Sequence, residues 1–207
     1  MLIPLIGGDS ILNIVMSLAA QETGSFTDSR DSLTYKTIKL GTHTWMAENL
    51  AYKASSGCWA YDNNQDNVIT YGYLYNWETA KNVCPSGWHL PTDEEWNTLE
   101  KHLGMRSSKA KEYGIRISGT VGKKLKSTSG WLDNGNGVNS SGFTALPGGC
   151  LGYAKDFNGL GYNAMFWSAS ERDTSNAWGR MLNSIFDGTC RGSTHKSHGY
   201  SVRCLHN

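Results

Sequence analysis

Apolar and polar positions change period several times along the chain, and each change marks an element. From Thr34 to Leu40 they alternate as in a half-buried strand, and after the Gly41-Thr42 turn Thr44-Trp45-Met46-Ala47 supplies the second arm of a hairpin. Tyr71 to Ala80 leads into a short helix ending before Pro85, where the spacing of Trp77, Ala80 and Val83 gives them one face, turned to the core. The best-defined helix follows. Thr92 is its N-cap, Glu95 completes a capping box, Trp96, Leu99 and Leu103 form the apolar stripe, and Gly104 stops it. Asp93, Glu94 and Glu95 sit at the positive end of the helix dipole, so capping accounts for this acidic cluster without catalysis. At the far end Gly199 to Cys204 reads as a terminal strand.

Two stretches between these elements carry no clear period. Lys101 to Lys126 is basic, with Arg106, Lys109, Lys111, Arg116, Lys123 and Lys124 opposed only by Glu112, and few aromatic residues suited to stacking on bases or sugars. It reads as a solvated, poorly ordered insertion. Trp131 to Ala145 holds Asp133-Asn134-Gly135-Asn136-Gly137, where turn chemistry is favoured over a calcium loop, because one carboxylate is a weak offer to a hard dication.

Composition narrows the class. With 24 Gly, 8 Trp, 10 Tyr and 4 Pro in 207 residues, the chain suits short strands and long connections better than a helical bundle, and α+β is the expected class. A net charge of +1 supplies no field to draw nucleic acid or an anionic membrane. Residues 1–33 read as an atypical signal or flexible tail with a linker at Gln21–Ser32, and residues 34–207 as one domain. Ile11 to Ala20 is apolar but too short to span a bilayer, and Ser17-Leu18-Ala19 offers small residues for cleavage; Asp9 and the lack of any Lys or Arg before Arg30 are unlike an ordinary export signal.

Cys58, Cys84, Cys150, Cys190 and Cys204 are an odd number, so one is left over, and their spacing has no zinc-like pattern. The reading joins Cys84 to Cys204, which would tie the helices to the last strand. Closing that loop of about 120 residues stabilises by roughly 4–5 kcal/mol on the chain-entropy model. The state of the other three stays open.

Trp45-Met46-Ala47-Glu48-Asn49-Leu50, Tyr71 to Trp77, Cys84-Pro85-Ser86-Gly87-Trp88-His89-Leu90-Pro91-Thr92, Ser141 to Gly149, Phe166 to Glu171 and Ser201-Val202-Arg203-Cys204 occur in order. In these blocks the chain resembles the Fibrobacter succinogenes major paralogous domain family, over roughly Tyr35 to Leu205. The resemblance implies a secreted or cell-surface bacterial protein with a C-type lectin-like fold of the formylglycine-generating-enzyme type: two helices flanking a twisted, mostly antiparallel sheet with long loops. It also supports the Cys84 to Cys204 clasp.

Catalysis of the formylglycine-generating type needs a closely spaced redox pair of cysteines, and Cys190 and Cys204 are not close in sequence. No sugar-binding Glu-Pro-Asn or Gln-Pro-Asp loop occurs. The expectation is a non-catalytic domain with no cofactor and no metal, binding a protein or glycan ligand through its C-terminal loops. Its rivals are a structural part of an envelope or phage-tail assembly and a copper-dependent thiol oxidase. Trp178, Arg180, Asn183, Ser184, Phe186, Asp187, Thr189, Arg191, Ser193 and His195 are the candidate contacts, with Trp178, Leu182 and Ile185 as inward anchors. The same region is similar to the variable proteins of diversity-generating retroelements. That similarity would make these positions, from Asn183 on, a display surface together with Gly179, Cys190 and Thr194.

Overall fold

The computed structural model describes residues 21–117 and 119–207; the signal-like stretch Ile11 to Ala20 lies outside them. The elements in chain order are β1 (Thr23–Thr27), β2 (Thr34–Leu40), β3 (His43–Met46), β4 (Cys58–Trp59), α1 (Asp66–Tyr71), β5 (Leu74–Tyr75), α2 (Trp77–Ala80) and β6 (Trp88–His89). Then come α3 (Asp93–His102), α4 (Ser107–Ala110), β7 (Gly114–Arg116), α5 (Val121–Leu125), β8 (Gly148–Leu151), β9 (Phe157–Leu160), β10 (Asn163–Glu171), β11 (Asn176–Asn183), β12 (Thr189–His195) and β13 (Leu205–His206). The class is α+β, and sheet dominates.

One sheet has the order β1-β2-β3-β13-β6 and the other β7-β12-β11-β10-β8-β9, with β4 and β5 forming a separate ribbon. The expected hairpin is β2 and β3, in register Ile38↔Trp45. The last strand, β13, inserts between β3 and β6, so the chain's end completes a sheet begun near its start. Cys204 precedes β13 and is bonded to Cys84, with Cα atoms 5.9 Å apart, within ordinary disulfide reach. The expected clasp is present. Cys58, Cys150 and Cys190 are free thiols.

Two apolar clusters lie against the sheets. One joins Trp45, Trp96, Leu99, Phe143, Phe166 and Leu182; the other joins Tyr75, Trp77, Trp167, Val202 and the clasp cysteine Cys204. Buried indoles need a partner for their one N–H. Trp77 donates to Ser168 O (2.8 Å) and Trp167 to Tyr75 O (2.7 Å), so both tryptophans fix backbone as well as fill space. Arg203 is wholly buried and, among the described residues, has no carboxylate at salt-bridge distance. Its guanidinium donates to Asn49 Oδ1, Met46 O, Phe143 O and Thr144 O and lies over the Phe143 ring, and burial pulls its pKa down to about 9.

Helix α3 follows the sequence reading closely. Thr92 Oγ1 accepts from Glu95 N (3.2 Å) and Glu95 Oε2 accepts from Thr92 N (2.7 Å), which closes the capping box. At the other end Gly104 takes φ +105°, a conformation glycine adopts without strain. Trp77 and Ala80 are buried as expected.

Four expectations are corrected. Gly199 to Cys204 is not a strand: Gly199, Tyr200 and Ser201 make isolated bridges to three different neighbours, Leu151, Tyr75 and Phe166, so no single ladder forms, and the last strand is β13, which follows Cys204. Gln21 to Ser32 is not a linker: β1 pairs with β2 from Thr23↔Ile38 to Thr27↔Thr34, and buried Asp28 is forked by Arg30. A polar strand at a sheet edge has no apolar period to betray it. The basic stretch from Lys101 to Lys126 is not a loose insertion, since it forms α4, β7 and α5 and buries Arg116 and Lys126. Its counter-charges sit elsewhere in the sequence, so a local charge balance misreads it. Ile185 is no anchor, being 77% exposed. In the oxygen-rich stretch Asp133 and Asn134 adopt positive φ, and Asn136 Oδ1 accepts from Trp131 N (3.0 Å), which is turn chemistry.

Candidate ligand-binding surface

The predicted contact residues fall largely on one hairpin, β11 and β12, whose two faces differ. Residues opposite one another in antiparallel strands share a face. The register Trp178↔Ser193 and Arg180↔Arg191 therefore sets these four on one side, and Gly179↔Gly192 and Met181↔Cys190 on the other.

The first side meets α3, where Asp93, Asn97 and Glu100 recur at helical spacing along one face. Arg180 donates from Nη1 to Asp93 Oδ1 (2.8 Å), from Nη2 to Asn97 Oδ1 (2.9 Å) and from Nε to Glu100 Oε1 (3.2 Å). Glu100 also accepts from the Thr189 hydroxyl (2.9 Å) and from both terminal nitrogens of Arg116. Arg191 forks Asp93 through Nε (3.0 Å) and Nη2 (2.8 Å). Burial by itself would raise the Asp93 pKa; the hydrogen bonds from Arg191 and the charge of Arg180 outweigh it and hold the carboxyl below its usual range. Burial pulls the Arg116 pKa down, against the pull of Glu100.

This network corrects part of the site. Arg180 and Thr189 are buried and engaged with α3, and Ser184 is buried against Gly135. They do not reach solvent, because every second residue of a strand covered on one face belongs to the core. Asn183 is half-buried and shapes the following turn: its Nδ2 donates to Asn163 Oδ1 (2.6 Å) and its Oδ1 accepts from Ile185 N (2.9 Å). Lys126 pins the same turn from below, donating to Asn183 O and Phe186 O (both 3.1 Å). Phe186 is half-buried and Asp187 exposed, the latter paired with Lys123 at 3.3 Å. His195 lies apart, its Nδ1 2.8 Å from Ser197 Oγ and its ring edge-on to Tyr153.

Trp178, Arg191 and Ser193 do come together, near the start of α3. The Arg191 guanidinium lies 3.6 Å from the centre of the Trp178 ring, and Tyr113 meets Trp178 edge-on at 6.0 Å. Arg172 reaches over the strands, 5.3 Å from the Tyr113 ring and 5.7 Å from that of Trp178, and donates to Ser193 Oγ (2.6 Å). Among the described residues the bridged arginines are Arg30, Arg116, Arg180 and Arg191; Arg172 has no carboxylate at salt-bridge distance. Tyr113 is 61% exposed. Sequence reasoning missed both: Tyr113 lies in the stretch read as loose, and Arg172 follows the Phe166 to Glu171 block in a turn.

The second side of the hairpin is partly covered: Ala177 and Gly179 are buried, and Met181, Cys190, Gly192 and Thr194 are half-buried. Met165, Met181, Cys190, Gly192, Thr194 and Tyr200 line a shallow recess of about 160 Å³, which Gly179, Arg180 and Ser193 also border. A larger cleft of about 560 Å³ lies beside β2 and α1, among Tyr35, Tyr52 and Tyr73, away from every predicted contact.

The family model for the Fibrobacter succinogenes major domain matches residues 38–206. The chain belongs to that family. Comparison with curated proteins finds no match, and comparison with solved structures finds none. The Fibrobacter major domain here runs from within β2 to β13, so it takes in both helices beside the clasp, the α3 network and the whole β11–β12 hairpin.

Proposed function

We propose that this is a secreted or cell-surface recognition domain without catalytic activity, built on a C-type lectin-like scaffold, which binds a protein or glycan ligand through the C-terminal hairpin. The observation that carries the reading is the Tyr113, Trp178 and Arg172 cluster. An exposed guanidinium free of any described carboxylate is held across two aromatic rings and tethered by Ser193. Aromatic rings offer stacking surface at small entropic cost, and a forked arginine takes carboxylate or amide oxygens, so both ligand classes are met by the same groups. The α3 network beneath keeps the strands rigid, which lowers the ordering cost of binding.

The bonding of Cys204 to Cys84 favours binding over thiol oxidation, since Cys204 is then not available as a redox partner for Cys190. If the surface is diversified, its variable part comprises the half-buried and exposed positions Asn183, Phe186, Asp187, Cys190, Ser193, Thr194 and His195, and not buried Gly179, Ser184 or Thr189, nor Arg191, which is engaged with Asp93.

The full chain, displayed against glycan and peptide arrays, should retain a specific ligand. Arg172→Ala and Tyr113→Ala, both surface changes, should each weaken it by about tenfold or more. A ligand bound equally well by both variants, or no ligand on either array, overturns this reading of the site.

A further inference from the structure

The cleft beside β2 and α1 shares no lining residue with the hairpin. At about 560 Å³ it falls in the range of small-molecule pockets, roughly 300–1,000 Å³, and like them it has aromatic and aliphatic walls with a few polar groups. The walls are fixed. Tyr73 donates from its N to Leu50 O (3.1 Å) and from its hydroxyl to Gln65 Oε1 (2.8 Å), beside the start of α1. Gly72, at φ +71°, lets the end of α1 approach the chain at Asn49 and Leu50, where a Cβ would stand 2.6 Å from Leu50 O. Leu33 and Ile69 line the cleft and are exposed, so apolar surface faces an incoming molecule.

Charge in the cleft is unbalanced. Its charged lining residues are Asp31, Glu48 and Lys53, and among the described residues none of the three has an opposite charge at salt-bridge distance. Arg30, next to Asp31 in sequence, is engaged by Asp28 and by Val83 O. Each carboxylate gives one oxygen to the backbone: Glu48 Oε2 accepts from Lys36 N (2.8 Å) and Asp31 Oδ1 from Leu33 N (3.0 Å). The other oxygen of each has no partner among the described residues. Tyr35 stands between Leu33 and Lys36 in the chain and is 3% exposed. Burial, with a smaller push from the charge of Asp31, raises its pKa to about 12, so the hydroxyl keeps its proton. That hydroxyl accepts from Ala51 N (3.1 Å), and its own hydrogen has no acceptor among the described residues.

We propose that the cleft binds a small organic cation, an ammonium group on an apolar body that also carries a hydrogen-bond acceptor. The ammonium goes to the free oxygens of Asp31 and Glu48, since hydrogen bonds between ionised partners are the strong ones. The acceptor takes the Tyr35 hydrogen, and the apolar body lies against Leu33, Val68 and Ile69. Tyrosine faces add attraction for a cation, and Tyr52 already holds one, the Arg30 guanidinium, 3.8 Å from its ring centre. An anion would meet two carboxylates and a single lysine. The site is separate from the cluster of Tyr113, Trp178 and Arg172, and neither reading depends on the other.

The test is ¹H–¹⁵N NMR titration of the full chain at pH 6 with three probes that share one aromatic body. Phenylalaninamide is a cation at that pH, N-acetylphenylalanine an anion, and N-acetylphenylalaninamide neutral. The cation should shift the amide signals of Ala51, Gly72 and Tyr73 saturably, with a Kd of about 5 mM or tighter, the least expected of a ligand of its size in a pocket. The neutral probe should bind at least about tenfold more weakly, and the anion more weakly still. Glu48→Gln and Asp31→Asn each keep an oxygen for the backbone bond, and each should weaken the cation by about tenfold. Arg172→Ala should leave it unchanged, and the remaining signals of each variant report whether the fold is kept. The proposal is overturned if the cation causes no saturable shift at these amides up to about 20 mM, if the neutral probe or the anion binds as well as the cation, or if either carboxylate variant binds like the parent. Loss of the shifts in Arg172→Ala would also overturn it, by placing the cation at the hairpin.

Discussion

The two faces of the β11–β12 hairpin are drawn from one stretch of sequence and put to opposite uses. On the α3 side Arg180, Thr189 and Arg191 are spent on Glu100 and Asp93; on the other, Met181, Cys190 and Gly192 border a shallow recess and make no ion pair. A strand changes face at every residue, so a shift of one position would exchange the two sets completely. Polar residues in a candidate binding segment are therefore not evidence of exposure: in this hairpin Arg180 and Thr189 are buried against α3, while the uncharged Met181 and Cys190 border the recess on the other side.

The sharpest way to break that contrast is at Glu100. Glu100→Ala leaves two buried guanidinium groups without their shared carboxylate and should cost about 3–5 kcal/mol in urea unfolding. A cost below about 1 kcal/mol would mean that the network is not what holds the hairpin to α3. Removing the clasp by Cys84→Ser with Cys204→Ser should cost about 2–5 kcal/mol and lower the unfolding midpoint without moving the hairpin itself.

Acid offers a subtler lever. The folded-state pKa of Asp93 lies below its unfolded value, so its contribution to stability is complete above about pH 4 and is lost as pH falls through the depressed folded value. Asp93→Asn should flatten the acid limb of the unfolding midpoint against pH and leave the profile above about pH 6 parallel to the parent's. A midpoint with unchanged acid dependence would show that other carboxyls carry that limb. The smallest effect belongs to the recess side. Met181→Leu should shift stability by less than about 1.5 kcal/mol, the range of volume-conserving swaps. A larger cost there would show that the recess is core and not surface.

Much of the fold was legible in the sequence wherever its cause is local. The capping box of α3 needs only Thr92 and Glu95, three positions apart, and Gly104 ends the helix by its own conformational freedom. The β2–β3 hairpin is set by alternation on either side of Gly41; the pairing of Cys84 with Cys204 is not local, and its expectation rested on one cysteine standing by the helices, the other near the chain's last residues, and on the family resemblance. Membership of the family rests on ordered blocks that any reading of the chain meets.

The partners of Arg116, Arg180 and Arg191 could not be read in this way. Arg180 lies 80 positions from Glu100 and Arg191 lies 98 from Asp93. Neither distance leaves a periodic trace. A lysine at 126 reads as solvent-facing until the turn at Asn183 and Phe186 closes its carbonyls over it. Sequence thus determined helix α3, the β2–β3 hairpin and the class, because capping hydrogen bonds, turns and apolar periods act within a few residues. Only the packing of α3 on the second sheet decided which side of the hairpin is committed to the helix and which borders the recess, because desolvation and charge pairing depend on neighbours that the chain brings together last.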